Sequence, residues 1–229
     1  MNLNIKNMVV GKNINNIPIF INSYNRYGCF KKQITRFEEM ELLNLIIIDN
    51  ASTYPPLLEY LNELSKKYTV VYLSTNLGSY ALWRSGMFNL EINSSYYIYT
   101  DPDIVPIPEC PSDVVKYLIE ILEKYSRVCK VGIGLRIDNL PDTKVGNEAR
   151  KFEEKYWNSP LGNNLYKAPI DTTFCVYRPN GRIGHQVGIR TGYPYVAEHS
   201  TWYEDLDNLS EELKYYKKTL NRRWTQWFR

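Results

Sequence analysis

The chain has no apolar run approaching the roughly 20 residues a membrane-spanning helix needs. Its first residues, 1–16, are rich in Asn and Lys and show neither the apolar core nor the cleavage pattern of a secretory signal. A cytoplasmic location is the expectation that follows. Cysteine is scarce: Cys29, Cys110, Cys129 and Cys175 stand far apart with no C-x-x-C pair, so neither a zinc site nor a disulfide framework is expected. No G-x-G-x-x-G follows the first apolar run, which argues against a dinucleotide-dependent dehydrogenase. A Gly-rich basic loop near the start, which a nucleotidyltransferase would call for, is missing from residues 22–28. An evenly basic body is missing as well. The net charge is +3, yet six basic and no acidic residues lie between Lys214 and Arg229, leaving 22 basic and 25 acidic in the first 213. A nucleic-acid-binding domain spreads positive charge over its body, so no nucleic-acid partner is expected. Internal repeats and long linkers are absent, and 229 residues read as one domain.

What is present is a regular alternation of apolar runs and amphipathic segments. Ile17-Pro18-Ile19-Phe20-Ile21 has strand length, and Phe30, Ile34 and Phe37 then mark one face of a helix. Leu45-Ile46-Ile47-Ile48 is too apolar for a one-sided sheet and predicts a strand covered on both faces. Pro55 and Pro56 suit a first helical turn, with Leu57, Leu61, Leu64 and Tyr68 behind them. Val70-Val71-Tyr72-Leu73 is a third strand, followed by a short helix around residues 80–88, and residues 96–104 form a fourth strand. This alternation predicts βαβ units around a mainly parallel sheet, an α/β class. Ligands in such sheets sit beyond the carboxyl ends of the strands, where each polar cluster here falls. Later elements are a helix capped by Ser112, a strand over 131–137, a helix over 147–157, a strand over 172–177 and a helix from Glu211 onward. Residues 184–203 show little periodicity and read as irregular, and Asn180-Gly181 is a turn signal.

The fourth strand ends in Asp101-Pro102-Asp103. In an extended backbone residues two apart share a face, so the two carboxylates are expected to converge. Oxygen ligands of that kind suit a hard divalent ion, Mg2+ or Mn2+, which keeps open positions for water and for phosphate oxygens. The alternative is a turn in which both Asp side chains cap and solvate the strand end.

The order of residues 20–26 (Phe-Ile-Asn-Ser-Tyr-Asn-Arg), residues 46–52 (Ile-Ile-Ile-Asp-Asn-Ala-Ser), Asn76-Leu77-Gly78 and Asp101-Pro102-Asp103 resembles nucleotide-sugar glycosyltransferases of the GT-A fold, especially family 2-like enzymes. The resemblance covers residues 17–105 and thins out afterwards. It implies a single GT-A domain with a Rossmann-like mixed, mainly parallel sheet flanked by helices. Residues 17–105 would be the nucleotide-binding half, 106–212 the acceptor side, and 213–229 a basic aromatic tail. By this resemblance Ser23, Tyr24, Asn25 and Asp49 would cradle base and ribose, Asn76 and Gly78 would pack on the nucleoside, and Arg84 could approach the phosphates. Asp101 and Asp103 would be the D-x-D pair that holds the metal, Asp101 also lying against the nucleotide. His199 is a further candidate metal ligand, as in some GT-A enzymes, set against a structural role among aromatics; His185 is a weaker one. The donor implied is a nucleoside diphosphate sugar, UDP-linked by resemblance, and the acceptor a hydroxyl of a glycan or lipid-linked glycan.

A metal stabilises the leaving diphosphate without a proton donor, while an inverting enzyme also needs a base, worth about 10²- to 10⁴-fold. Asp171, before the strand over 172–177, is the first candidate, with Glu153 and Glu154 as alternatives. The sequence lacks the family's Glu-Asp base motif and the Gln-x-x-Arg-Trp of processive synthases. The tail mixes aromatics with positive charge, which suits either a peripheral membrane contact or a helix docking its aromatics and exposing its lysines. Two other functions compete: a non-catalytic nucleotide-sugar or glycan-binding module, and a phosphatase using the Asp-x-Asp strand end, which would normally carry that motif on its first strand.

Overall fold

The computed structural model describes residues 17–88, 95–179 and 187–220. The leader 1–16, His185, the turn at Asn180-Gly181 and the end of the tail lie outside the described residues. Among the described residues, four strands and three helices build the first half: β1 (Ile19–Ser23), α1 (Tyr27–Glu39), β2 (Leu45–Asp49), α2 (Pro55–Leu64), β3 (Thr69–Tyr72), α3 (Ala81–Arg84) and β4 (Tyr97–Thr100). They pair in parallel in the order β3-β2-β1-β4. Period-two alternation explains why both faces are apolar. Ile19, Ile21 and Ile47 enter one core with Phe30, Ile34 and Phe37 of α1 and Leu57 and Leu61 of α2. Phe20, Ile46 and Ile48 enter another with Ala81 and Leu82 of α3.

The second half continues through β5 (Ile104–Pro106), α4 (Val114–Lys124), β6 (Lys130–Gly132), β7 (Gly134–Leu135), α5 (Lys144–Glu153), β8 (Pro160–Gly162), β9 (Leu165–Pro169), β10 (Cys175–Tyr177), β11 (Val187–Thr191), β12 (Val196–His199) and α6 (Glu211–Thr219). β10 inserts antiparallel between β4 and β6, and β11, β9 and β8 complete a nine-stranded mixed sheet. β5, β12 and β7 form a separate three-stranded sheet. The fold is therefore α/β, parallel over its first half and mostly antiparallel beyond β4.

Several expectations change. The fourth strand does not run on through both aspartates; it stops at Thr100, and the chain turns at Pro102, which has no N–H for a ladder, before joining the small sheet. The strand expected over 131–137 is likewise split, β6 serving the large sheet and β7 the small one. Gly134 is needed where the chain crosses, because a Cβ there would lie 2.1 Å from the Thr191 carbonyl oxygen. Asp113, not Ser112, occupies the N-cap of α4, without a side-chain capping bond. The helix expected over 147–157 begins earlier, at Lys144, under a Thr143 cap, and gives way to a 3-10 turn after Glu153. The stretch expected to be irregular holds β11 and β12.

Candidate active site

Asp101 and Asp103 lie on either side of the turn that joins the two sheets. Backbone bonds fix the turn from both: the Asp101 N–H donates to the Thr172 carbonyl at 2.8 Å, and the Ser200 N–H donates to the Asp103 carbonyl at 2.8 Å. α1 holds it from behind, since buried Gln33 donates Nε2 to the Asp101 and Ile104 carbonyls at 2.7 and 2.8 Å. The hydroxyl of Thr172 donates to Asp101 Oδ2, and that of Thr201 to Asp103 Oδ2. Burial, with the Asp103 charge adding to it, holds the Asp101 carboxyl well above its ordinary range, and the Thr172 bond opposes this. The other oxygen of Asp103, Oδ1, is buried with no hydrogen-bond partner among the described residues. A buried carboxylate oxygen normally has one, so this atom is available to a ligand.

β12 brings His199 to the same place because its register sets His199 opposite Ile104. Its Nδ1 lies 3.5 Å from Asp103 Oδ2, and its ring stacks on Trp202 at 4.6 Å. Burial pushes its pKa down, which keeps the imidazole neutral, the form a metal takes. Among the described residues no group of three or more His, Cys, Asp or Glu side chains is arranged to hold a metal by itself. Two carboxylates with one unpartnered oxygen nevertheless fit a hard divalent ion whose remaining positions go to substrate oxygens and water.

The loops after β1, β2 and β3 meet beside this pair, and asparagines wire them together. Asn22 and Asn50 both donate Nδ2 to the Gly78 carbonyl, at 3.2 and 2.9 Å, and Asn50 Oδ1 accepts from the Leu77 N–H at 2.7 Å. Asn76 Oδ1 accepts from the Gly78 N–H at 2.8 Å, and Gly78 has φ +76°, a conformation glycine adopts without strain. Asp49 Oδ1 accepts from the Ser52 N–H at 3.2 Å, and burial raises its pKa. Arg84, exposed on α3, donates to the Leu77 carbonyl and sits over the Tyr80 ring.

Ser23 is fully buried, its hydroxyl turned to no partner among the described residues. Tyr24 donates its hydroxyl to the Thr219 carbonyl at 2.8 Å, and Asn25 donates Nδ2 to Thr219 Oγ1 at 2.9 Å. Both belong to the covering of this end of the sheet by α6, to which Tyr215 also contributes a bond to the Thr53 carbonyl at 2.9 Å. α6 thus turns Tyr215 and Tyr216 toward these loops while Lys214, Lys217 and Lys218 stay exposed.

The candidate bases separate clearly. Asp171 is exposed beside Thr172, accepts the Tyr80 hydroxyl at 3.1 Å, and is close enough to act electrostatically on Asp101. Glu153 is buried in an ion pair with Arg190, and Glu154 is exposed in the 3-10 turn after α5. Of the three, only Asp171 stands by the aspartate pair.

Sequence reading missed Gln33, Asn50, Thr172, Thr201, Arg26, Glu204 and Glu212 as participants. Asn50 had a signal in its place at a strand end next to Asp49. Arg26 is 5% exposed, between Glu204 and Glu212, partners 178 and 186 residues away, for which no local pattern exists.

No protein-family model and no curated protein matches the sequence. Among solved structures, the chain is similar to a mannosyltransferase from Pyrobaculum calidifontis in complex with GDP-Man and Mn2+, with 13% identity over 81% of this chain and 56% of that one and a TM-score of 0.49. It is also similar to glucosyl-3-phosphoglycerate synthase from Mycobacterium tuberculosis. The complex with Mn2+, UDP-glucose and phosphoglyceric acid gives 17% identity over 71% of this chain and 56% of that one, with a TM-score of 0.43. The complex with Mg2+ and UDP gives 16% identity, the same coverage and a TM-score of 0.42. The chain spans 56% of the length of each of these structures.

Proposed function

We propose that the chain is a metal-dependent glycosyltransferase of the GT-A type, moving a sugar from a nucleoside diphosphate donor, UDP-linked, to a hydroxyl of a glycan or lipid-linked acceptor. The observation that carries the reading is the Asp101–Asp103 turn at the carboxyl end of the parallel half of the sheet, with Asp103 Oδ1 buried and unpartnered among the described residues. Asp101 and Asp103 would hold Mn2+ or Mg2+, with neutral His199 as a further ligand. Bound there, such an ion supplies charge stabilisation for the departing nucleoside diphosphate.

The chain's own residues do the rest. Thr172 and Thr201 fix one oxygen of each aspartate, and Asp103 Oδ1 is left for a cation. Asn22 and Asn50 hold the turn at Gly78 in the shape that packs on the nucleoside, and Asp49 stands at the neighbouring strand end. Asp171 accepts the acceptor hydroxyl's proton, with Tyr80 orienting its carboxylate. No helix among the described residues is long and apolar enough to cross a membrane. The exposed lysines of α6 leave a peripheral contact with an anionic surface as the way a lipid-linked acceptor would be met.

Calorimetric titration of UDP, GDP and dTDP, with and without Mn2+, on wild type and Asp103→Ala tests the reading. Metal-dependent binding of one nucleotide, lost in the variant, is the expected result. No binding by folded protein overturns it. Binding without transfer from any sugar nucleotide would instead identify a binding module.

A further inference from the structure

Arg26 presents an arrangement the aspartate pair does not explain by itself. Its guanidinium is buried, ion-paired with Glu204, 3.4 Å from Glu212 Oε1, and covered by the Tyr216 ring at 5.1 Å. Glu212 also accepts the Gly28 N–H at 2.8 Å, so the first turn of α1 and α6 are tied together through one carboxylate. Asp103 lies within electrostatic reach of the same guanidinium, yet no hydrogen bond or ion pair joins the two among the described residues. A cation within electrostatic reach of Asp103 is thus occupied by two carboxylates from the C-terminal part of the chain.

An arginine stays charged at any working pH, and a buried charge stripped of its partners is strongly unfavourable. Without Glu204 and Glu212, the carboxylate left to Arg26 is Asp103. We propose that Glu204 and Glu212 are positioning residues that hold Arg26 away from Asp103 and so keep Asp103 Oδ1 free for the divalent ion. This rests on the metal-dependent reading above. It makes α6 a part of the site, and it makes Arg26 a latent competitor of the metal, restrained by the C-terminal segment.

The test is Mn2+ titration of the full chain, followed by calorimetry and by the electron paramagnetic resonance signal of free Mn2+. Thermal unfolding of each variant confirms that it is folded. Glu204→Gln combined with Glu212→Gln, which keeps side-chain size, is expected to weaken Mn2+ binding about 10- to 100-fold. Adding Arg26→Gln to that pair is expected to restore most of the affinity, a recovery that a merely structural role for the glutamates would not give. If the double variant does not fold, Glu212→Gln alone, with and without Arg26→Gln, carries the same comparison. Unchanged Mn2+ affinity in the glutamine variants, or a loss that Arg26→Gln leaves in place, overturns the inference. Wild type that takes up no Mn2+, with or without UDP, overturns the metal-dependent reading itself.

Discussion

Two buried arginines in this molecule look alike and behave differently. Arg190 is paired with Glu153, donates Nε to the Pro169 carbonyl at 2.9 Å, and lies over the Tyr156 ring at 4.7 Å. Arg26 is paired with Glu204 and Glu212 and lies over the Tyr216 ring at 5.1 Å. The Arg190 pair lies inside the second half of the sheet, with Lys155 and buried Lys130 close enough to act on it. Around Arg26 two glutamates and Asp103 face a single cation, with Asp101 beyond. The first arrangement has positive charge to spare; around the second, carboxylates outnumber the cation.

Glu153→Ala would break the Arg190 pair and leave Arg190 buried without its carboxylate. The expected loss is about 3–5 kcal/mol in urea unfolding, with Mn2+ affinity retained if the two clusters are as separate as described. An equal loss of metal binding would dissolve the distinction.

The next effect is a pH dependence. Burial pushes the Glu204 carboxyl up to about 7 from an ordinary 4.5, with Asp103 and Glu212 adding to the rise and Arg26 opposing it. Below 4.5 the group is protonated in both folded and unfolded chains and its contribution is fully present. As pH rises toward 7 the unfolded chain releases the proton more readily than the folded one, so stability falls through this window and levels off above it. The change is on the order of 3 kcal/mol at most. Asp101, also held high, contributes with the same sign. Glu204→Gln therefore removes its share of the slope in metal-free protein, and an undiminished slope would show that Glu204 is not held high.

Asp103→Asn sharpens the contrast from the other side. Removing one of several crowded negative charges is expected to raise stability by about 0.5–2 kcal/mol while abolishing metal-dependent nucleotide binding. A fall in stability on thermal unfolding would mean that the cluster is already balanced. Smallest is Tyr215→Phe, which deletes the hydroxyl donated to Thr53; a loss of about 1 kcal/mol in urea unfolding is expected, without a change in Mn2+ affinity.

The first half of the fold was legible because its strands and helices are buried by period. Ile19, Ile21 and Ile47 against Phe20, Ile46 and Ile48 can be sorted onto two faces by counting. Helix α6 was legible too, although its destination was not. Residues 187–199 were hidden because Gly188, Arg190 and Pro194 break any alternation that Val187, Ile189 and Val196 would set up. Arg190 is buried there only because Glu153 waits for it. The aspartate pair announced itself by type and spacing, yet the geometry expected for it was an extended strand, and a turn between two sheets took its place. Asp49 and Asn76 accept bonds from nearby backbone N–H groups, a short-range habit of these residue types. Arg26, by contrast, is defined by partners that only folding brings near.

The change of sheet at Pro102 has a mechanical side. Asp101 hangs from the end of the nine-stranded sheet through Thr172, and Asp103 from the start of the three-stranded one through Ser200 and Thr201. An ion gripped by both would be a rivet across the seam, and seating it would stiffen the joint. Residues far from the chemistry, such as Gly134 where β7 passes close to the Thr191 backbone, would then set how well the two halves of the grip line up.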